Sequence, residues 1–388
     1  MSRLLTYRKV YDCLIILALI SACFALVSFP QESIQAASEG LSLCAAVIIP
    51  SLFPFFVLST LMVRLGMAQY FGRVLEPVMR PLFNVSGACS SAFVLGFVGG
   101  YPVGAKMAIS LFESGCITKS EAERLLAFSN NSGPAFILGF VGVGIFASSR
   151  VGLLLYLAHA LASILVGILF RRWGASCPQG GGRRHGERIR TVRLSEAFVE
   201  SVRGAVQSVL SICGFVVFFA VLIRLLFLAG VIPALSSLLG TLFSGLGFDA
   251  EWASMLLIGL IELSSGVWSL SEVAGQIPSS IAMAAFMLGW AGLSVHCQVL
   301  SFIGGSGLGV RSYILGKILH GFISAGLVFL LTRLLPFDIP VAATLAEGVQ
   351  GIAAMDFSTS IRISTLAALG LLVSTLLICY LARKRVGR

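Results

Sequence analysis

The chain has 388 residues, of which 57% are hydrophobic and only 11% are charged, and its formal net charge is +10 at pH 7. Soluble domains carry about 25% charged residues, so this composition excludes a mainly soluble protein and indicates a polytopic helical membrane protein. The basic residues lie in short loops and at the C-terminus, where orientation signals belong, so no nucleic-acid partner is expected. The nine cysteines show no disulfide or metal-ligand spacing, and neither a metal nor a cofactor is expected.

The first predicted element is a membrane-spanning helix within residues 1–36. Basic residues precede an apolar run from Tyr11 to Phe29, which is long enough to cross the bilayer. A cleaved signal peptide is the alternative, although no small-residue cleavage site follows the run. The same length criterion predicts further crossings near 40–63, 125–147, 151–170, 205–229, 283–309, 312–332 and 361–382.

Two more apolar stretches, near 86–113 and 252–275, are interrupted in the middle by Gly, Ser or Pro. Each half is about ten residues, or about 15 Å of helix, which is half of a bilayer core. We therefore expect two re-entrant helical hairpins. The predicted fold class is an all-α polytopic membrane protein with about eight transmembrane helices and two hairpins.

The interrupted segments occur twice at a fixed spacing. In the first half the break Gly96–Lys106 is followed by Asn130–Pro134, and in the second half Gly259–Gly266 is followed by Leu293–Gln298. Each unit contains three crossings, an odd number, so the two units are expected to be inverted repeats. The predicted domains are a gate repeat at 37–172, a basic linker at 173–194, a second, inverted gate repeat at 195–334 and a C-terminal loop, helix and basic tail at 335–388. Because the linker and the tail are rich in Arg, both termini are predicted to be cytoplasmic.

The first break is predicted to contribute to a solute site. Four glycines and Pro102 cannot sustain a helix there. A Gly-rich packing face between helices is the structural alternative. A lysine at this depth is costly and therefore indicates function, unless it reaches an interface. The substrate-binding candidates in this break are Gly99, Gly100, Tyr101 and Lys106.

The second break of each half supplies the remaining candidates. Pro134 frees a backbone carbonyl and leaves amide and hydroxyl side chains mid-membrane, where they can bind a solute or hold helices together. The substrate-binding candidates are Asn130, Asn131 and Ser132, with Ser264, Ser265 and Ser294 from the second half. Glu262 and His296 are candidates for coupling, and packing is the alternative for His296. No paired acids, Ser/His pair or HExxH sequence is seen, so no enzyme and no catalytic residue is expected.

These same residues carry a family resemblance. The segments Ile49–Phe55, Gly99–Lys106, Thr118–Leu126 and Asn130–Pro134 resemble the sporulation integral membrane protein family YlbJ, with nucleoside-recognition gate domains similar to those of concentrative nucleoside transporters and ferrous-iron permeases. The resemblance implies an integral membrane protein of endospore formers that faces the mother cell and moves dipicolinic acid across the outer forespore membrane.

The function expected from residues and resemblance together is transport of a small organic anion by alternating access at a midplane site. Half-helix N-termini attract carboxylates, and Lys106 would add a positive charge. A nucleoside or metal-ion permease, and a non-transporting membrane scaffold for spore assembly, are the alternatives. The expected partners are the anionic solute and the lipid bilayer, and a homo-oligomer is left open.

Overall fold

A computed structural model of the chain describes residues 2–65, 67–174, 193–274 and 279–334. Within these ranges every regular element is helical, which confirms the all-helical membrane class. Most of the predicted linker 173–194, and all of the C-terminal region 335–388 with its predicted crossing 361–382, lie outside the described residues.

The first half contains eight α-helices and two π-helical segments among its described residues. The π-helical segments are Cys44–Ile48 and Ala135–Ile145. The α-helices are α1 Ser2–Ser28, α2 Pro30–Leu43, α3 Ile49–Arg64, α4 Met67–Phe83, α5 Ser90–Gly99, α6 Val103–Glu113, α7 Lys119–Phe128 and α8 Ser149–Leu169.

The second half repeats this order of elements. Its α-helices are α9 Leu194–Leu228, α10 Val231–Phe243, α11 Ala250–Ile261, α12 Leu263–Ser269, α13 Ser279–Trp290, α14 Gly292–Ile303 and α15 Arg311–Leu334. In each half a short helix (α4, α10) precedes a broken hairpin (α5–α6, α11–α12). An interrupted helix and then one long helix (α8, α15) follow. The helix–break–helix pattern expected at 86–113 and 252–275 is therefore present.

Four of the described helical segments are long and apolar enough to cross a membrane, and the number rises to six if each of two bent pairs is one span. The four are Ser149–Arg172, Leu194–Leu228, Ser279–Ile303 and Arg311–Leu334. The bends are 97° between α1 and α2 and 100° between α4 and the segment Gly87–Gly99. The predicted crossing 125–147 is not continuous, because the chain leaves the helix after Phe128. Because the predicted crossing 361–382 lies outside the described residues, the expected total of about eight stays a prediction.

One sequence-based boundary is wrong. The break expected at Leu293–Gln298 lies earlier, at Ala291 and Gly292, whose φ angles are 82° and 80°. Residues 293–298 belong to α14 instead. Ala291 gives no sequence signal for this break, because a left-handed conformation is rare for a residue with a Cβ atom.

The interior is divided into two hydrophobic cores. The small core joins the π-helical segment Cys44–Ile48 and α3 to α9, and it includes Phe56 and Val209. Two ion pairs join α9 to its neighbours. Near its N-terminus Glu200 pairs with Arg64 of α3, and near its C-terminus Arg224 pairs with Glu39 of α2. The large core contains the buried residues of both hairpins, both interrupted helices, α8 and α15. The helices α3 and α9 thus pack around a core of their own, which borders the large core through Val103 of α6.

The two long helices α8 and α15 meet at equivalent positions of the two halves. His159 of α8 and His320 of α15 are both fully buried, with ring centroids 4.2 Å apart. The His320 Nε2 atom lies 3.0 Å from the carbonyl oxygen of His159. Corresponding elements of the two halves therefore contact each other at the centre of the large core.

Candidate functional site

The tip of the first hairpin is pressed against the unwound segment that follows α7. Gly100 has a φ of +73°, and a Cβ atom there would lie 2.9 Å from the backbone nitrogen of Gly133. Further down the hairpin, a Cβ atom on either Gly96 or Gly104 would come within 1.9 Å of the carbonyl oxygen of Ser129. Glycine is required at these positions because any side chain would push the two breaks apart.

The unwound segment between α7 and the π-helical segment is held by side chains from α8. The Asn131 Nδ2 atom donates hydrogen bonds to the carbonyl of Phe128 at 3.0 Å and to the Ser163 Oγ atom at 3.3 Å. The backbone N–H of Ser132 donates to the His159 Nε2 atom at 3.1 Å. These bonds satisfy polar groups that an interrupted helix leaves without intrahelical partners.

In the second hairpin the break is a single residue, Glu262, which is 2% exposed. Its carboxylate oxygens accept hydrogen bonds from the backbone N–H groups of Ser264 at 3.0 Å and Ser265 at 2.7 Å. Glu262 is therefore the N-cap of α12, and its charge lies at the positive end of that helix. The N–H groups of Ser264 and Ser265 at the start of this half-helix therefore already have an acceptor within the chain.

The two hairpins and the two interrupted helices meet around one cavity of about 50 Å³. Its polar lining comes from Tyr101 and Ser132 of the first half and from Glu262, Ser264, Ser294 and Gln298 of the second. Gly100 and Gly133 supply backbone, and Ile48, Ile212 and Val216 contribute from the small core. The cavity thus lies where the breaks converge, along the boundary between the two cores.

Five of the predicted site residues line this cavity together with the predicted coupling residue Glu262. The five are Gly100, Tyr101, Ser132, Ser264 and Ser294. The other candidates are not in its lining. They are Gly99, Lys106, Asn130, Asn131, Ser265 and His296. Asn131 and Ser265 instead hold the breaks that shape the cavity.

Lys106 is not at the tip of the hairpin. It belongs to the first turns of α6, its side chain is exposed, and its Nζ atom lies 5.9 Å from the ring centroid of Phe302. Among the described residues no ion pair joins it to Glu262. Its predicted role as a substrate ligand stays a prediction that the placement does not favour.

His296 lies behind the cavity rather than in it. Its Nδ1 atom is 2.8 Å from the Tyr313 hydroxyl oxygen, and its ring packs edge-on against Trp290 with centroids 4.3 Å apart. A histidine hydrogen-bonded within the bundle, the alternative to a coupling role, matches these contacts.

Sequence reasoning missed Lys317 of α15. Its side chain is only 1% exposed, and its Nζ atom donates hydrogen bonds to the Tyr101 hydroxyl and to the carbonyl of Asn130, each at 3.0 Å. The available signal was an isolated lysine within the predicted crossing 312–332, which by itself indicates function. A basic side chain is thus present at the site, on Lys317 and directly behind Tyr101.

A family model and a solved structure are similar to parts of this chain. A family model for a gate described as nucleoside recognition matches residues 45–171, which include the first hairpin and the unwound segment. A solved structure of a CNTnw variant in an outward-facing state covers 84% of this chain and 86% of that chain, with 15% identity and a TM-score of 0.45. Membrane-spanning helices and a gate with broken helices define an integral membrane protein of the transporter-like type.

The family follows from a closer relative. The sporulation integral membrane protein YlbJ of Bacillus subtilis (strain 168) is 32% identical over 323 residues, which are 79% of this chain and 79% of that protein. The chain belongs to the family of this protein, and the resemblance drawn from the motifs is confirmed.

Proposed function

We propose that the protein transports a small organic anion, dipicolinate in a sporulating cell, across the outer forespore membrane by alternating access. The observation that carries the proposal is the cavity at which both hairpin breaks and both interrupted helices converge. Broken helices that meet inside a membrane protein are where transporters place their solute sites. The family link to a sporulation membrane protein supports a role in spore formation, and dipicolinate is the solute that the resemblance drawn from the motifs implies.

The proposed ligands are the cavity-lining Gly100, Ser132, Ser264 and Ser294, which offer backbone groups and hydroxyls to a planar carboxylate. Tyr101 also lines the cavity, but its hydroxyl already donates to the carbonyl of Leu288, so it is proposed to shape the site rather than to donate to the solute. Gly99, Asn130, Asn131 and Ser265 act in the proposal by shaping the two breaks. The Lys317 ammonium contributes positive charge from behind Tyr101, at a Nζ–Oη distance of 3.0 Å. Lys106 is exposed and therefore contributes at most to the entry path.

Glu262 is proposed to couple solute and proton movement. An ionised carboxylate in the cavity repels an anionic solute, whereas a protonated one does not. Anion loading should therefore be accompanied by proton uptake at Glu262. His296, the second coupling candidate, contacts Tyr313 and not the cavity, so its role in coupling would be indirect.

Loading also requires movement of the helices. Pockets for drug-sized solutes measure about 300–1,000 Å³, and the cavity here measures about 50 Å³. The small core forms one wall of the cavity and the large core forms the others. Separation of the two cores would widen the cavity and open it to one side. The two halves, which repeat the same elements, are proposed to be inverted in the membrane, with both termini cytoplasmic.

A nucleoside is the second candidate solute. The described lining of the cavity contains a carboxylate and several hydroxyls but no basic side chain, which is the chemistry that a neutral sugar and base can use. The match to a nucleoside-recognition gate favours the same solute class.

Uptake by the purified protein in proteoliposomes tests the proposal. Labelled dipicolinate, uridine and a divalent metal ion should be compared side by side under an imposed pH gradient. Dipicolinate uptake above that of empty vesicles, enhanced by a proton gradient in the wild type but not in Glu262→Gln, is the expected result. Uptake of uridine alone would replace the anion by a nucleoside, and uptake of none of the three would refute transport of these solutes.

A further inference from the structure

The buried lysine Lys317 connects the two breaks of the first half to the long helix of the second half. Its Nζ atom is 3.0 Å from the Tyr101 hydroxyl at the hairpin tip and 3.0 Å from the Asn130 carbonyl oxygen in the unwound segment. Residues 101, 130 and 317 come from three different elements. A single side chain thus bridges the hairpin, the interrupted helix and α15.

The direction of these hydrogen bonds identifies Lys317 as the donor in both. A carbonyl oxygen can only accept, and the Tyr101 hydroxyl already donates its hydrogen to the carbonyl of Leu288 at 2.6 Å. The Nζ atom also lies 4.8 Å from the centroid of the Tyr101 ring, within the range of a cation–π interaction. A protonated Lys317, with its three N–H donors, can make all three contacts at once.

No acidic side chain neutralises this charge within the described part of the chain. The ion pairs found there involve Arg64, Arg80 and Arg224, and none includes Lys317. The titratable groups that act on or contact the ammonium are Tyr101 of the hairpin tip, His159 of α8, His296 of α14 and His320 of α15 itself. Tyr313, the partner of His296, completes the cluster. The negative potential around the Lys317 ammonium therefore comes from carbonyl and hydroxyl oxygens and from the face of an aromatic ring.

Unwound backbone carbonyls in the broken helices of transporters are also the groups that coordinate a mobile coupling cation. Here the Asn130 carbonyl is already occupied by an ammonium of the chain. We propose that Lys317 is a tethered cation, whose ammonium joins the hairpin tip to the unwound segment at the position that a mobile coupling cation would otherwise take. Transport is then independent of Na⁺. The statement about transport rests on the proposed function, whereas the tether itself does not.

Hydrogen exchange of the full-length protein in nanodiscs tests the tether without any solute. The backbone amides of residues 99–104 and 129–134 should exchange equally in NaCl and in choline chloride. In Lys317→Met the same amides should exchange about tenfold faster or more, because the local opening is no longer opposed by the two hydrogen bonds. Lys119→Met, which alters an exposed lysine, is the matched control and should behave like the wild type.

Two results would overturn the proposal. One is exchange in these segments of the wild type that slows specifically in NaCl, because a mobile Na⁺ would then bind there. The other is unchanged exchange in Lys317→Met. If that variant does not fold, Tyr101→Phe removes one of the two acceptors while keeping the ring, and it should give a smaller acceleration in the same segments. Unchanged exchange in Tyr101→Phe would count against the tether.

Uptake measurements provide a second test of the role of Lys317. Uptake by the wild type should be the same in NaCl and in choline chloride, low in Lys317→Met and partly restored in Lys317→Arg, which keeps the charge. Uptake that requires a Na⁺ gradient would contradict the inference. If none of the tested solutes is carried, the proposed function fails, and the exchange experiment still decides the tether on its own.

Discussion

At the scale of single residues, Glu262 combines a structural task with a functional one. Its carboxylate accepts from the N–H groups of Ser264 and Ser265, which fixes the start of α12. The same carboxylate lines the cavity, where the proposed mechanism assigns its ionisation to control whether an anion is tolerated. If the cavity is the solute site, this cap couples the state of the hairpin to the charge in that site.

Replacement of Glu262 by alanine should therefore damage both stability and transport. We expect a loss of about 1 kcal/mol in the free energy of unfolding, as for other N-cap residues, together with loss of uptake. Asp249 offers a matched control, because it caps α11 in the same way through Glu251 and Trp252 but lies away from the cavity. Asp249→Ala should lower the melting temperature similarly and leave uptake intact. Equal uptake by the two variants would remove Glu262 from the mechanism.

A second cap, outside the membrane-spanning segments, predicts a dependence on pH. Burial alone would raise the pKa of Glu121, but hydrogen bonds from Thr118 and Ser86 outweigh it and lower the pKa below its ordinary value of 4.5. A carboxyl whose pKa is lower in the folded state stabilises the protein above its unfolded-state pKa. That contribution is lost as the pH falls through the folded-state value.

The melting temperature of the purified protein should accordingly fall on acidification from about pH 6 to about pH 3. Part of this fall should be absent in Glu121→Gln, which starts from a lower stability at neutral pH. The half-buried Glu123 does not offer a suitable control variant, because its carboxylate accepts from the Gly309 N–H. Glu113→Gln, at the exposed end of α6, serves instead. Identical acid sensitivity of the wild type and Glu121→Gln would contradict the assignment.

The hydroxyl and carboxylate side chains of the site could be predicted from the sequence, whereas its basic side chain could not. Tyr101, Ser132 and Glu262 follow helix breaks that are visible in the sequence. Lys106 follows such a break too, but it points away, because it lies five residues beyond Tyr101 along a helix whose other face is buried. Lys317 belongs to a regular helix without any break. Its approach to Asn130 depends on long-range packing, which no local pattern reveals.

At the scale of elements, a pair of glycines in each hairpin allows backbone segments to approach closely. A Cβ atom on Gly266 would lie 2.1 Å from the Cα atom of Gly259, which means that the two arms of the second hairpin touch through their backbones. In the first hairpin Gly96 and Gly104 enclose the carbonyl of Ser129. The fixed spacing of Gly96 and Gly259 in the sequence thus corresponds to the same structural task in the two hairpins.

Alanine at Gly104 or Gly266 should disrupt a hairpin. The added methyl group meets backbone atoms that cannot move aside separately, so we expect loss of uptake and a lower melting temperature. Gly204 of α9 has no neighbour within 4 Å of a Cβ atom. Gly204→Ala should therefore be neutral or stabilising, by up to about 1 kcal/mol from helix propensity. Wild-type uptake in Gly104→Ala would show that the close approach is unnecessary.

Three of the four breaks could be predicted from the sequence because they coincide with Gly, Pro or Asn clusters, or with a lone acid in an apolar run. The fourth break lies at Ala291 and Gly292, whereas the sequence pattern predicts it further along the chain, at Leu293–Gln298. The number of crossings was also predicted less well than the class. Apolar length alone does not distinguish a straight span from helices that bend by 97° or 100°.

At the scale of the whole molecule, the division into two cores defines the surfaces between which the cavity lies. Ile48, Ile212 and Val216 belong to the small core, whereas Tyr101, Phe136 and Leu263 belong to the large one. Each core takes elements from both halves, so the boundary between the cores does not coincide with the boundary between the two predicted repeats. Relative motion of the two cores is the movement most directly able to open the cavity.

The proposed inversion of the repeats makes a prediction about membrane sidedness. Cys116 follows the first hairpin and Glu251 lies at the start of the second hairpin, in the first turn of α11, and both positions are exposed. If the halves are inverted, these two loops lie on opposite sides of the membrane. In a background without other cysteines, an impermeant maleimide should label Cys116 from the cytoplasmic side and the Glu251→Cys variant from the other. Labelling of both from one side would exclude the inversion.

The central claim is that dipicolinate binds in the cavity where the breaks converge, and solute protection at Ser294 tests it most directly. Ser294 lines the cavity and is 2% exposed, and Ser294→Cys changes its side chain by a single atom. In a background without other cysteines, a membrane-permeant thiol reagent should modify the Ser294→Cys variant slowly, and dipicolinate should slow it further in a saturable way. Uridine should have no effect, and a variant that keeps Cys116 instead should react at the same rate with or without either solute. The account would be contradicted if uridine but not dipicolinate slowed the modification of Ser294→Cys, or if neither solute changed its rate.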